Sequence, residues 1–303
     1  MPPTVEVIIN AGSGAAQKEV TRRQLAEIFT ASGIKARISL ARRGGEVGKL
    51  ARQAVDGGAQ TIVAAGGDGT VNAVASIVVG SNKTLGVVPL GTLNHFAKDL
   101  HIPLDLEGAA RTIIAGHSIN VDVGEVNERI FVNNSSLGLY PSIVHQREKV
   151  QRLGHGKWPA FLWATLTVLR RYPFLNLRLI VNGAEFATRT PFIFVGNNVY
   201  EMESFNIGTR ARLNAGVLSL YVTHRTGRFG LLRLAFHALF KRLRQAEDFI
   251  ALITTEVHVE TRRRRPMRVA TDGEVTLMQS PLHYRVRPGA LRVLVPEETV
   301  PTS

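Results

Sequence analysis

The sequence predicts two domains of different class: an α/β domain with a parallel sheet, followed by an antiparallel β-rich domain. Strand-like and helix-like segments alternate over roughly the first 120 residues, which is typical of parallel strands joined by crossover helices. Beyond this region strand follows strand, with hairpin turns between them, and this pattern favours an antiparallel arrangement.

Short runs of β-branched and aliphatic residues predict the strands of the first domain, and helical spacing of apolar residues predicts its helices. The predicted strands are Val5–Ile9, Lys35–Leu40, Thr61–Ala65 and Leu85–Val88. The predicted helices are Gln17–Ala31 and Glu46–Val55. Ligands of parallel sheets bind at the carboxyl ends of the strands, so the loops that follow these strands are the candidate site.

The second domain is predicted from a series of strands, two of its turns and two helical interruptions. The strands are Arg129–Asn133, Asn176–Val181, Pro191–Val195, Val217–Val222, Glu256–Glu260, Met267–Ala270 and Leu291–Val295. Asn182-Gly183 and Asp272-Gly273 favour hairpins, and helices are predicted near Trp158–Arg170 and Phe229–Leu252. We expect domains at 1–124 and 125–303, and the sequence leaves open whether the final strand returns to the first domain.

Composition limits the classes of protein that fit. With 45% apolar and 20% charged residues, the 303-residue chain can bury a core. The absence of cysteine excludes disulfides and thiol chemistry. No spanning segment or leader is recognised, so a cytoplasmic protein is expected. The net charge of +13 suits nucleic acid, anionic lipid or phosphorylated metabolites, or simply a solvated basic surface.

The most informative segment is Gly66–Thr70, with the sequence G-G-D-G-T, between the third strand and a helix predicted to begin at Val71. A glycine turn leading into a helix presents backbone N–H groups to a phosphate at close range. The central Asp68 would repel phosphate unless a cation lies between them. The segment therefore predicts a nucleotide bound with its metal ion, and Asp68 is the candidate metal-side residue.

Two further loops follow strands at the same sheet edge: Asn10–Gly14 and Pro89–Ala97. Thr92 and Asn94 could hydrogen-bond phosphate or ribose, or could instead cap the next helix. Neither the Walker A pattern nor G-x-G-x-x-G occurs here. The candidate nucleotide-binding residues are Asn10, Gly12, Ser13, Gly14, Gly66, Gly67, Asp68, Gly69, Thr70, Gly91, Thr92 and Asn94.

A fourth segment, Thr271–Glu274, lies in the strand-rich region. Taken alone, its Asp-Gly pair predicts a hairpin turn. Phosphoryl transfer to an alcohol, however, requires a positioned carboxylate that accepts the hydroxyl proton. No zinc-binding spacing is recognised among histidines such as His95, His101 and His117, and no G-x-S-x-G motif is present.

Together these four segments resemble the diacylglycerol kinase catalytic-domain family, which includes bacterial lipid kinases, sphingosine kinases and ceramide kinases. Gly66–Thr70 is identical to the family's G-G-D-G-T, and Asp272–Glu274 matches its D-G-E. Asn10–Gly14 looks like N-P-x-S-G with alanine in place of proline. Pro89–Ala97 looks like P-x-G-T-x-N-D-F-A with His95 in place of aspartate.

The resemblance implies a nucleotide-binding α/β domain, a C-terminal antiparallel β-sandwich, ATP with Mg²⁺ as the phosphoryl donor and a lipid hydroxyl as the acceptor. By analogy Asp68 serves nucleotide and metal, Glu274 is the general base with Asp272 as the second candidate catalytic residue, and His95 lies on the acceptor side. Ala215 stands where bacterial relatives have an aspartate that organises a structural magnesium. Alanine cannot ligate, so that second site is not expected.

We therefore expect an ATP-dependent lipid kinase acting on diacylglycerol or a related lipid alcohol. The alternatives are an NAD kinase, which shares G-G-D-G-T, and a non-catalytic regulator that binds lipid or nucleotide. Nucleic-acid binding is disfavoured, because the basic run Arg262–Arg265 is isolated. The mixed basic and apolar segments Arg152–Arg171 and Phe229–Leu252 suit transient docking at the anionic inner membrane surface, or alternatively pack on a core.

Overall fold

The computed structural model of the chain describes residues 5–11, 15–43, 45–138, 174–200, 210–223, 249–261 and 266–299. The chain divides into two compact units, Met1–Val123 with Pro288–Ser303 and Gly124–Arg287. The first unit therefore contains both the start and the end of the chain. The predicted helix near Trp158–Arg170, most of the predicted helix Phe229–Leu252 and the run Arg262–Arg265 lie outside the described residues.

The first unit contains a parallel sheet, as the alternating pattern predicts. Its strands are β1 Val5–Asn10, β2 Ala36–Ala41, β3 Thr61–Gly66 and β4 Thr84–Pro89, in the order β2-β1-β3-β4. The last strand of the chain adds to it in parallel, with Arg292 opposite Thr84 and Val293 opposite Leu85. The interior strands β1, β3 and β4 are buried along almost their whole length, which is typical of parallel strands covered on both faces.

The described residues of this unit form five α-helices: α1 Ala15–Ala31, α2 Glu46–Asp56, α3 Asp68–Val78, α4 His95–Asp99 and α5 Leu106–Ala115. The sequence predicts α1 and α2 to within two residues at each end. Helix α4 begins directly after Asn94, where a capped helix is one interpretation of the sequence, and α5 is a finding of the structure. Helix α3 begins at Asp68 and not at Val71. Its first turn closes early, because Thr70 N and Val71 N both donate to Gly67 O (2.9 and 3.1 Å).

The remaining strands are β5 Ser118–Val126, β6 Arg129–Phe131, β7 Asn134–Gly138, β8 Leu175–Val181, β9 Ala184–Thr190, β10 Phe192–Asn197, β11 Leu218–Thr223, β12 Phe249–Thr254, β13 Glu256–Thr261, β14 Met267–Thr271, β15 Glu274–Met278 and β16 Leu282–Leu294. Within the second unit, neighbouring strands pair antiparallel. One sheet contains the run β16-β13-β8-β9, with β5 pairing to β16 and β6, and the other sheet has the order β12-β11-β10-β7-β14-β15.

The two antiparallel sheets pack face to face as a β-sandwich, which confirms the predicted fold class. Alternate residues of both sheets form one buried core. Leu177 and Leu179 of β8 and Val257 of β13 contribute from one side, and Leu220 of β11 from the other. The predicted hairpin turns are also confirmed: Asn182-Gly183 joins β8 to β9, and Asp272-Gly273 joins β14 to β15.

Several elements differ from the predictions, including β5 and β15, for which no strand is predicted. The helix predicted over Phe229–Leu252 is wrong at its end, because Phe249–Leu252 lies in β12, which pairs with β11. The apolar residues of this short segment are compatible with a strand as well as with a helix. Pairing with β11 makes the segment a strand. Strands β7 and β9 are additional findings, because their polar sequences carry no clear alternation. None of the described helices is long and apolar enough to span a bilayer.

Candidate functional site

Two loops of the first unit meet at the carboxyl ends of the neighbouring strands β3 and β4. Leu90 N donates to Gly66 O (2.9 Å), which ties the loops together. A Cβ at Gly91 would lie 2.5 Å from the Cα of Gly67, and a Cβ at Gly67 would lie 3.3 Å from the Cα of Gly91. The approach thus depends on glycine, most strictly at position 91.

Asn94 closes the second of these loops. It has left-handed backbone angles (φ 49°, ψ 47°) and lies just before α4, but its side chain makes no capping bond to that helix. Instead Asn94 Oδ1 accepts from Gly91 N (3.0 Å), and Asn94 Nδ2 donates to Gly91 O (2.9 Å). Asn94 therefore holds the shape of the loop, while Thr92 and His95 remain exposed beside it.

Asp68 lies at the N-terminus of α3, partly buried, with its carboxylate directed to the second loop. Its Oδ1 accepts a long hydrogen bond from Phe96 N (3.4 Å). A carboxylate is the ligand type that Mg²⁺ prefers. A helix N-terminus favours bound anions such as the phosphate that accompanies the metal ion. The donor set and the glycine-dependent approach beside it fit a phosphate with its metal.

The first predicted loop connects to the same region through Asn10, the last residue of β1. Asn10 Nδ2 donates to the Oγ1 of buried Thr70 (2.9 Å). A Cβ at Gly66 would lie 2.5 Å from that same Oγ1, so Gly66 also has to be glycine. The structure thereby links the ends of β1 and β3, while Gly12, Ser13 and Gly14 lie outside the described residues.

A basic groove of about 990 Å³ lies between α1 and the edge strand β2. Its lining residues are Ala11, Glu19, Arg22, Arg23, Ile38, Leu40 and Arg42. Arg22 pairs with Glu19 (2.6 Å), and Arg42 directly follows β2 at the sheet edge that carries the predicted loops. The sequence does not single out these arginines, because they are among 37 basic residues.

In the second unit, the Thr271–Glu274 turn holds the carboxylate of Asp272 inward. Its Oδ2 accepts from Val132 N (2.7 Å), and its Oδ1 accepts from Asn133 N (2.9 Å) and Asn134 N (3.0 Å). Burial raises the pKa of this carboxyl to about 6, although the three N–H donors oppose the rise. Asp272 is therefore committed to holding the 132–134 segment.

Glu274, two residues later, has a different environment. Its side chain is 59% exposed, and its Oε2 pairs with Arg129 Nη2 (2.5 Å). Arg129 Nε also donates to Thr271 Oγ1 (2.9 Å), which fixes the guanidinium against the turn. The structure thus brings Asp272 and Glu274 onto one turn and adds Arg129, which is distant in sequence and belongs to no motif.

A buried arginine, Arg210, holds the 132–134 segment that binds Asp272. Arg210 is 3% exposed, and its guanidinium donates to Val132 O (2.7 Å) and Asn133 Oδ1 (2.8 Å). It also lies over the ring of Tyr200, 5.4 Å from the centroid. Arg210 therefore fixes the segment whose N–H groups bind Asp272. A single arginine without a motif gave no signal in the sequence.

Ala215, where the resemblance has an aspartate, lies on a loop of the second unit. Its backbone N donates to Asn198 Oδ1 (2.9 Å). The methyl side chain offers no ligand atom, so at this position the chain contributes only a backbone hydrogen bond.

Two family models match the chain. The model described as "Diacylglycerol kinase catalytic domain" matches residues 4–126, and "YegS C-terminal NAD kinase beta sandwich-like domain" matches residues 140–295. The chain is 26% identical to a diacylglycerol kinase of Staphylococcus carnosus (strain TM300) over 232 residues, which is 74% of each protein. It is 28% identical to a diacylglycerol kinase of Staphylococcus aureus (strain JH9), over 75% of this chain and 72% of that one.

Solved structures show the same fold. A crystal structure of a diacylglycerol kinase from Bacillus anthracis str. Sterne superposes with a TM-score of 0.71 at 19% identity, over 98% of both chains. Another structure from the same organism superposes with a TM-score of 0.77 at 21% identity, over 98% of this chain and 96% of that one. These similarities extend over both units.

Proposed function

Because the chain belongs to the diacylglycerol kinase catalytic-domain family, we propose that it is an ATP-dependent lipid kinase. It would transfer the γ-phosphoryl group to the hydroxyl of diacylglycerol or a related lipid alcohol. The observation that carries this proposal is the Gly67–Gly91 approach, which leaves no room for side chains at the end of the sheet where such folds bind ligands. The relatives named diacylglycerol kinase support the choice of acceptor.

In this proposal the first unit holds the nucleotide. Backbone N–H groups of Gly67–Gly69 and of the 92–93 part of the second loop bind the phosphates, because Thr70 N and Gly91 N already donate to Gly67 O and Asn94 Oδ1. The Asn10–Gly14 loop completes the phosphate side. Asn94 and Asn10 keep these loops in position through their hydrogen bonds to Gly91 and Thr70. The nearby arginines of the α1–β2 groove add positive charge, which favours a polyanionic ligand.

Asp68 would hold Mg²⁺. The ion, when bound, neutralises charge that develops on the transferred phosphoryl group. Asp68 itself is fixed by its position in the first turn of α3 and by the long hydrogen bond from Phe96 N. A carboxylate with one long hydrogen bond retains acceptor capacity for a ligand.

On the acceptor side we assign Glu274 as the general base. Its carboxylate would accept the proton of the lipid hydroxyl, and Arg129 fixes that carboxylate in one orientation. Asp272 acts as a positioning residue, because its oxygens are occupied by three backbone N–H groups. His95, exposed at the start of α4, places an imidazole on the acceptor side in this proposal.

An NAD kinase is the second candidate, and one observation favours it. The model that matches residues 140–295 describes a sandwich like that of NAD kinases. The same glycine turn would then hold ATP while a soluble dinucleotide accepted the phosphoryl group. A non-catalytic regulator, suggested by His95 and Ala215, would bind the same ligands without turnover.

A lipid acceptor requires contact with a membrane, so we propose transient docking at an anionic surface. The basic and apolar segments predicted for this role, Arg152–Arg171 and most of Phe229–Leu252, lie outside the described residues. Replacing Lys241, Arg242 and Arg244 by glutamine is expected to weaken binding to anionic vesicles. Undiminished vesicle binding by this triple variant would remove the second segment from the proposal.

One assay distinguishes the candidates. The full chain is incubated with ATP labelled in the γ-phosphate, Mg²⁺ and mixed micelles of diacylglycerol, sphingosine or ceramide, and in parallel with NAD. We expect label in an organic-phase product, highest with one of the lipids. Label in NADP would select the second candidate, and no transfer to any acceptor would leave the regulator. The Asp68→Asn variant, prepared identically, controls for contaminating kinases.

A further inference from the structure

Three polar side chains of the second unit converge on the outer face of one strand pair. Strands β13 and β16 are antiparallel, with His258 directly opposite His283. Glu256 precedes His258 by two residues and therefore shares its face, because side chains alternate along a strand. Val257 and Tyr284 point into the core. The two histidines are each 38% exposed and the glutamate 52%.

Both imidazoles approach the same carboxylate oxygen. His258 Nε2 lies 3.0 Å and His283 Nε2 lies 2.5 Å from the same atom, Glu256 Oε1. The two imidazole rings stack almost parallel, with centroids 4.4 Å apart and an interplanar angle of 3°. All three ligand atoms lie within 4.8 Å of one another. Strand pairing thus brings the three side chains together, and rotation of the side chains would exchange the His–Glu hydrogen bonds for bonds to an ion.

We propose that Glu256, His258 and His283 bind a divalent transition-metal ion, with Zn²⁺ as the reference ion. Two imidazole nitrogens and a carboxylate oxygen suit zinc and the neighbouring transition metals. Mg²⁺ and Ca²⁺ prefer sites made of oxygen ligands alone. The site is therefore chemically distinct from the magnesium role proposed for Asp68.

The charge around the cluster is compatible with a cation. Arg285, two residues after His283 and opposite Glu256 in the strand register, is a positive group on β16. Its guanidinium is paired with Glu125, to which Nε donates at 2.8 Å, and Arg287 joins the same carboxylate at 3.4 Å. Because Glu125 binds both arginines, Glu256 remains available to the histidines.

Sequence spacing does not reveal this set, which the search for zinc patterns missed. His283 comes 27 residues after Glu256, and only the β13–β16 register brings them together. Within the described residues this is the one group of three or more potential ligands that meets within metal-binding distance. A bound ion would join β13 to β16 and stabilise the folded second unit by mass action.

The test uses the full chain without an affinity tag, stripped with a chelator and titrated with ZnCl₂ by calorimetry. Millimolar MgCl₂ is present throughout, so that oxygen-only sites are filled. We expect one equivalent of zinc to bind with a dissociation constant of roughly 10 μM or tighter. Zinc should also raise the unfolding temperature, and Co²⁺ should give visible d–d absorption from the same site.

The variants are Glu256→Gln and the double variant His258→Gln/His283→Gln. Each should weaken zinc binding at least about tenfold and abolish the zinc-dependent rise in unfolding temperature. His117→Gln is the matched control, because His117 lies 3.9 Å from a single carboxylate, that of Glu297. Metal-free unfolding temperatures report whether each variant is folded.

Two results would overturn the proposal. One is binding that survives in the double variant as strongly as in His117→Gln. The other is no binding to the unmodified chain below about 1 mM zinc, which would leave the cluster as a hydrogen-bonded His–Glu group only. The zinc titration does not depend on phosphorylation of a lipid or of NAD, so failure of the kinase proposal would leave its result unaffected.

Discussion

Two turns, Gly66–Thr70 in the first unit and Thr271–Glu274 in the second, each carry an aspartate beside glycine. The carboxylates differ sharply in their surroundings. Asp68 receives one long hydrogen bond, 3.4 Å from Phe96 N. Asp272 receives three from backbone N–H groups at 2.7–3.0 Å. Two similar Asp-Gly sequences therefore have different roles. The carboxylate of Asp68 suits a metal ion, whereas the carboxylate of Asp272 holds the backbone of residues 132–134.

The two carboxylates of the second turn, those of Asp272 and Glu274, have different roles. Asp272 points inward to the 132–134 segment, whereas Glu274 is exposed and held by Arg129. The segment Asp272–Glu274 can therefore form a hairpin turn and also supply a candidate general base. Variants that separate chemistry from folding test whether the carboxylates differ in this way.

The largest expected effect is on catalysis, at Glu274. Glu274→Gln keeps the size of the side chain but removes its ability to accept a proton, so kcat should fall about 10²–10⁴-fold. Stability should change by less than about 1 kcal/mol, because exposed ion pairs contribute little. Initial rates with the best acceptor and urea unfolding measure the two effects.

Glu185→Gln is the control for that variant. Glu185 forms a similarly exposed pair with Arg178 (2.5 Å), on the β8–β9 hairpin. It should keep the full rate with a stability change of similar size. Equal rates for Glu274→Gln and Glu185→Gln would show that Glu274 is not the base.

The next effect is on folding, at Asp272. Asp272→Ala leaves three N–H groups without their acceptor, so the free energy of unfolding should fall by about 3–5 kcal/mol. Asp56→Ala, at the exposed end of α2, should stay within about 0.5 kcal/mol of the unmodified chain. A small loss at Asp272 in urea unfolding would contradict its structural role.

The pH dependence of stability gives an independent measure of the Asp272 environment. Its pKa in the folded protein, about 6, is above the ordinary 3.8, so the folded state binds the proton more tightly. Its contribution should be full below about pH 4 and lost as pH rises through 6, a change of roughly 1–3 kcal/mol. The stability difference between the unmodified chain and Asp272→Asn should therefore shrink from pH 4 to pH 7, and growth over that range would refute the assigned environment.

The smallest effect concerns the approach of the two loops in the first unit. Gly91→Ala places a methyl group 2.5 Å from backbone and should cost about 1–3 kcal/mol, with a raised KM for ATP. Gly48→Ala, in α2, meets nothing within 4 Å and should be neutral or slightly stabilising. Unchanged ATP kinetics in Gly91→Ala would argue against a phosphate site there.

Local sequence patterns predict much of the secondary structure of this molecule. They fail where contacts between distant parts of the chain determine whether a segment is a strand or is buried. The buried runs of β1, β3 and β4 are apolar except for Glu6 of β1, so the sequence predicts these strands and the glycine turn. Strand β7 is mostly polar, and its buried Ser135 is stabilised by hydrogen bonds with Ala270 O and the Tyr284 hydroxyl. No local pattern contains that information.

The candidate site shows the same division. The loops of the first unit carry short motifs that indicate their chemistry. Arg129 and Arg210 act through partners that lie far away in sequence, 145 residues for Glu274 and 77 for Asn133. The separate roles of Asp272 and Glu274 likewise depend on hydrogen bonds that only the folded hairpin makes.

The most direct test of this account measures kcat and the unfolding midpoint for Asp68→Asn and Asp272→Asn together, across a range of Mg²⁺ concentrations. We expect Asp68→Asn to keep its midpoint while losing most of its Mg²⁺-dependent phosphoryl transfer. Asp272→Asn should lower the midpoint while its folded fraction keeps the Mg²⁺ dependence of the unmodified chain. Full Mg²⁺-dependent activity in Asp68→Asn would show that Asp68 does not hold the metal ion.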